Sequence, residues 1–166
     1  MTRYKPTEAI TPPNVLKAKV GGQLPALDQQ AIARAEAALQ KMSTQFADWI
    51  QEELDHLMEA WAAYETSGGS QTARNELHRR AHDLKGLGPT YGYPLVSRIC
   101  ASLCKLIGEE HGELRVPHKL LKAHVDGVKA AVVGKIMGAD HPAGLALATE
   151  LESQAKALIA AHEAKS

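Results

Sequence analysis

His78 and His82 stand one helical turn apart, and Lys85 and Gly86 follow His82 by three and four residues. On a helix these four positions share one face. Imidazole is partly unprotonated at neutral pH, so it can act as a nucleophile, a proton carrier or a metal ligand. Neighbours decide among these. The Lys85 ammonium would bring a positive charge and three donors beside the His82 ring, which favours a phosphoryl group and disfavours a dication. Gly86 removes the side chain from the next step of that face, so the backbone of another protein could come close. Arg79 and Arg80 border the face and could steer an acidic partner, or form a solvated charge pair instead. The combination points to a phosphohistidine site centred on His82.

Other chemistries fit the pattern less well. The His78/His82 pair has the i, i+4 spacing of a helical zinc clasp. The glutamate that a metalloprotease needs after its first histidine is Arg79 here. A structural zinc site would need a third ligand, and His56, His111, His118, His124 and His141 lie at no telling spacing; they read as surface or helix-end residues. Gly86, Gly88 and Gly92 do not make a nucleotide loop, because the last interval is wrong and no strand precedes them.

The helix that must carry the site is outlined by Leu77, Ala81, Leu84 and Gly88, which recur at i, i+4, i+7 and i+11. That stripe would bury one side and leave His82 near water. A turn signal at Ser67-Gly68-Gly69-Ser70 places its start near Gln71 or Thr72. Gly86, Gly88 and Pro89 predict a kink or stop between Leu87 and Tyr91.

Upstream, Asp28 can cap a helix whose apolar positions Ile32, Leu39, Met42, Phe46, Ile50, Leu57, Trp61 and Tyr64 are expected to be core. Trp49 and Trp61 read as core anchors. Ser43 could restart this long run, giving two helices. Downstream, Pro94 opens a helix with the stripe Leu95, Ile99, Leu103 and Leu106. Cys100 and Cys104 border that stripe as small core residues. After a polar loop from Gly108 to Val116, Pro117 begins a fourth stretch (Leu121, Val125, Val128, Val132, Ile136). The last carries Leu147, Leu151, Ala155, Leu158 and His162. The expected fold is all-α: an up-and-down antiparallel four-helix bundle with one or two additional N-terminal helices. Residues 1–26 hold four prolines and two adjacent glycines and read as an extended or disordered arm, leaving 27–166 as the bundle domain.

The 166 residues carry nineteen basic and nineteen acidic side chains, so the broad positive field expected of a nucleic-acid or membrane-surface binder is missing. No segment approaches 18 continuous apolar residues and no leader pattern opens the chain. Two reduced cysteines suit a cytoplasmic location. One self-contained bundle favours a monomer.

The run His82-Asp83-Leu84-Lys85-Gly86, with His78 before it and Gly92 ten residues after His82, resembles the signature of histidine-containing phosphotransfer (HPt) domains of bacterial two-component phosphorelays. The succession of amphipathic helices over roughly residues 40–162 is similar to that family's bundle. The resemblance implies that His82 takes a phosphoryl group from an aspartyl phosphate on one receiver domain and passes it to another. Lys85 would hold phosphoryl oxygens, Gly86 would clear the receiver's approach, His78 would support, and Gly92 would mark the turn into the next helix. The implied partners are response-regulator receiver domains and a hybrid histidine kinase, with Mg²⁺ on the receiver and no cofactor in this chain. A phosphotransfer protein, rather than an ATP-dependent kinase, is what this implies; the alternative is a receiver-binding adaptor without transfer. Members commonly continue the helix with small residues after the Lys-Gly pair, whereas this chain has Leu87-Gly88-Pro89.

Overall fold

The computed structural model describes residues 29–109 and 114–165. The arm expected at 1–26, the cap expected at Asp28 and His111 lie outside the described residues. Among those described, five helices follow one another: α1 (Gln29–Thr66), α2 (Gln71–Leu87), α3 (Pro94–Ile107), α4 (His118–Val133) and α5 (Pro142–Glu163). The class is all-α, with α2 to α5 as the up-and-down bundle and α1 as the additional N-terminal helix. No helix among the described residues is long and apolar enough to cross a membrane.

Each helix begins where local chemistry allows. The Ser70 hydroxyl accepts from the Ala73 N–H at 3.3 Å and caps α2. Pro94 stands in the first turn of α3 and Pro142 in that of α5, where a missing N–H removes no helical hydrogen bond. At α5 the His141 ring also accepts from the Gly144 N–H at 3.3 Å.

α3 is the central element, lying against α2, α4 and α5. Its buried residues include Leu95, Val96, Ile99, Cys100, Leu103 and Leu106, an apolar surface wide enough to meet several neighbours. The core closes around Leu77, Ala81 and Leu84 of α2, Leu121, Val125 and Val128 of α4, and Ala148, Leu151 and Ala155 of α5. Burying each large aliphatic side chain contributes about 1.5–3 kcal/mol, offset by the entropy of ordering the chain.

Three expectations are corrected. α1 is one continuous helix, and Ser43 does not divide it; serine is a weak breaker when helix formers flank it. The described residues fall into two units, divided between Lys41 and Met42. In the described part of the first, Ile32 and Leu39 are exposed; in the second, Met42 and Trp49 are exposed, and burial starts at Ile50, Leu54 and Leu57. Helical periodicity marks an apolar face, but a neighbouring element decides whether that face is covered. Trp61 is core, whereas Trp49 makes tilted ring contacts in an outer cluster with Phe46 and Tyr91 at centroid distances of 5.7 and 6.2 Å. His124, expected at the surface, is fully buried. It sits three residues after Leu121 on the apolar face of α4, and both ring nitrogens are satisfied, by the Ser102 hydroxyl at 2.9 Å and the Leu120 carbonyl at 2.8 Å.

Candidate functional site

α2 and α3 run antiparallel and are clasped at both ends. At one end Arg74 donates to the carbonyls of Ile107 (2.9 Å) and Leu106 (3.4 Å), two of the carbonyls a helix terminus leaves without partners. At the other, the Ser97 hydroxyl donates to the Lys85 carbonyl. Between the clasps lies a groove of about 600 Å³, lined on the α2 side by Asn75, His78, His82 and Lys85 and on the α3 side by Ala101, Cys104 and Lys105, with the Glu109 carboxylate beyond the end of α3. Cys104 forms its floor; burial pushes that thiol up to about 11, so the floor is uncharged at neutral pH.

The spacing argument places its four residues as expected. Leu77, Ala81 and Leu84 are buried, and His82 stands exposed on the opposite side of α2. The His78 and His82 rings lie 6.3 Å apart between centroids, and the Nε2 of His78 lies beside Gly108. Lys85 is half-buried at the groove edge. A methyl group added at Gly86 would meet nothing within 4 Å, so the surface one turn beyond His82 is open.

Gly88 and Pro89 end α2 at Leu87. Gly88 is there for close approach: an added Cβ would lie 2.9 Å from the Tyr93 carbonyl oxygen, 3.1 Å from that of Leu84 and 3.2 Å from the Ser97 nitrogen. All three are backbone atoms and cannot swing aside. The segment unlike the usual signature is therefore what brings the start of α3 against the end of α2. Gly92 then turns the chain with φ +86°, a conformation that side chains disfavour, and its carbonyl accepts from the Gly138 N–H at 3.1 Å.

Arg79 and Arg80 turn toward Glu76. Arg79 binds both carboxylate oxygens, at 2.9 and 2.6 Å, and Arg80 one of them at 2.8 Å. Asp83 is a further 3.6 Å neighbour of Arg79. Hydrogen bonds from the two guanidinium groups hold the Glu76 carboxyl well below its usual range, at about 2. This rim is a mixed-charge network rather than a bare positive patch.

The Hpt domain family model matches residues 41–164. The chain belongs to the Hpt domain family. Comparison with curated proteins and with solved structures found no match. Hpt domains carry out histidine phosphotransfer in two-component signalling and interact with receiver domains and histidine kinases.

In this Hpt domain the sequence pattern singled out the α2 half of the groove and missed the α3 half. Lys105, Cys104 and Ala101 line the cavity opposite His82, yet Lys105 lies 23 residues from His82. Only the pairing of two helices brings the two lysines to one groove, and helical periodicity within either helix does not report it. Among the described residues no three histidine, cysteine, aspartate or glutamate side chains gather closely enough to hold a metal ion.

Proposed function

We propose that His82 is the phosphoacceptor of a relay, taking a phosphoryl group from an aspartyl phosphate on one receiver domain and delivering it to an aspartate on another. The observation that carries this reading is the setting of His82: an exposed imidazole on a packed helix, with Lys85 one turn on and open space at Gly86.

Attack by the unprotonated ring nitrogen, in line with the leaving oxygen, forms a P–N bond as the acyl P–O bond breaks. The electron pair leaves with the aspartate carboxylate. The other ring nitrogen keeps its proton, so the product is a phosphoimidazolium. Transfer to a second carboxylate reverses these steps. Such transfers depend mainly on positioning and charge stabilisation. The Arg74 and Ser97 clasps fix the helix that bears the nucleophile, and Lys85 offsets phosphoryl charge. The open step at Gly86 admits the receiver's loops, and Mg²⁺ belongs to the receiver's own site. His78 supports the neighbouring ring without reacting, and Arg79 and Arg80, with their acidic partners, form the rim a receiver meets.

The test is transfer from a receiver that carries labelled aspartyl phosphate. Acid-labile, alkali-stable label should appear on the wild type and not on His82→Gln. Failure of label to reach the wild type from every cognate receiver would refute the proposal.

A further inference from the structure

We propose that Lys105 is a second phosphoryl-binding cation, reaching across the groove from α3 to the group held on His82. The inference rests on the phosphoacceptor reading and extends it to the opposite wall.

Six basic side chains stand on the two helices that build the groove. On α2, Arg74 is committed to the carbonyls of Leu106 and Ile107, and Arg79 and Arg80 to Glu76. On α3, Arg98 makes a two-pronged pair with Glu152 at 2.9 and 2.7 Å. Lys85 and Lys105 remain, and neither has a hydrogen bond or ion pair among the described residues. Both line the groove that contains His82.

Lys105 also borders a second cavity of about 170 Å³, between α3 and α5, whose carboxylate is Glu152. That carboxylate is already hydrogen-bonded to Arg98 through both oxygens, while Lys105 acts on it only through space and forms no ion pair with it. An incoming dianion at His82 is the stronger attraction for a flexible ammonium. Lysine suits such a task, because its three donors rotate on a long stem and follow the phosphoryl group between attacking and leaving positions. With Lys85 and Lys105 on opposite walls, the three phosphoryl oxygens are approached from both helices, over a floor where the neutral Cys104 adds no repulsion.

Two measurements test this. Inorganic phosphate titrated into the unphosphorylated protein, followed by NMR of the His82 ring, reads the anion site without chemistry. Hydrolysis of phosphohistidine, loaded with phosphoramidate as the imidazole displaces ammonia, reads it on the bound group. Lys105→Ala should weaken phosphate binding and shorten the phosphohistidine lifetime by roughly three- to tenfold. Lys105→Arg should retain most of both. Lys129→Ala, the same charge change on α4, should alter neither. Wild-type behaviour of Lys105→Ala in both measurements, or an equal loss in Lys129→Ala, overturns the proposal. Lys105-dependent phosphate binding in a protein whose His82 never accepts label would retain the anion site and overturn the phosphoacceptor reading. Label on His82 with no Lys105 dependence would do the reverse.

Discussion

The Ser97 hydroxyl donates to the main-chain carbonyl of Lys85, in the place where the N–H of residue 89 would stand if that residue were not proline. Within a helix the carbonyl of Lys85 would accept from four residues on, and Pro89 has no hydrogen to give. Ser97, three residues into α3, fills the vacancy and ties the two helices together beside the proposed phosphoryl site. Ser97→Ala should therefore destabilise the domain by about 1–3 kcal/mol, the usual range for stranding a partly buried acceptor. The urea midpoint measures it. Adding Pro89→Ala returns an N–H one turn from Lys85 and should recover part of the loss; an unchanged midpoint in Ser97→Ala would show that this hydrogen bond contributes nothing net.

Gly86 and Gly88 are two residues apart and should answer substitution in opposite ways. At Gly88 three backbone atoms lie within 3.2 Å of a new Cβ, so Gly88→Ala must push α3 from α2 and cost about 1–3 kcal/mol. At Gly86 the space is empty, and Gly86→Ala should raise stability by up to about 1 kcal/mol through helix propensity. Gly86→Gln should keep the fold while slowing transfer from a receiver. Thermal unfolding and transfer rates, measured on the same three variants, check both halves; unslowed transfer in Gly86→Gln would remove the clearance role.

These two glycines also show what the sequence could disclose. Spacing within one helix was enough to group His78, His82, Lys85 and Gly86 and to bury Leu77, Ala81 and Leu84, because 3.6-residue periodicity is a local property. The stop after Leu87 was legible in Gly88-Pro89 for the same reason. What Gly88 is for was not legible, since the atoms it avoids belong to Tyr93 and Ser97 on another element. Lys105 and His124 were missed likewise: one comes to the groove of His82 only through the pairing of two helices, and the other is tolerated in the core only because Ser102 and Leu120 satisfy it. Ile32, Leu39 and Met42 failed in the other direction, as a periodic apolar face that burial does not reach.

His124 should leave a mark on the pH dependence of stability. Burial favours its neutral form and lowers its pKa from the model-compound value of 6.5. The unfolded chain then binds a proton more readily than the folded one as pH falls through 6.5, so stability is complete above that value and declines below it. Glu76 and Glu152, whose pKa values are lowered, contribute stability that is lost only as pH falls below about 4.5. In the interval from pH 6.5 to 5 these two carboxylates add no slope. Unfolding midpoints of the wild type should fall across it, and His124→Gln, which cannot take up that proton, should show a flatter dependence. Parallel slopes would mean that His124 protonates equally well in both states.

Lys85 follows the proposed nucleophile by one helical turn, and its role can be separated from that of a solvated surface lysine. Among the described residues its ammonium has no ion-pair partner, so its removal breaks no existing network and should leave stability nearly unchanged. A phosphoryl group on His82 would add charge that Lys85 offsets, and that attraction grows as the phosphorus passes between nitrogen and oxygen. Lys85→Ala should therefore slow receiver-to-His82 transfer or shorten phosphohistidine lifetime by about tenfold, which corresponds to about 1.4 kcal/mol. Lys85→Arg keeps the charge and should lie between the two. Because an ammonium at the groove edge is partly screened, the gap between wild type and Lys85→Ala should narrow as ionic strength rises. Equal rates and lifetimes at low salt would make Lys85 an ordinary surface residue, and would leave the groove's charge stabilisation to the opposite wall.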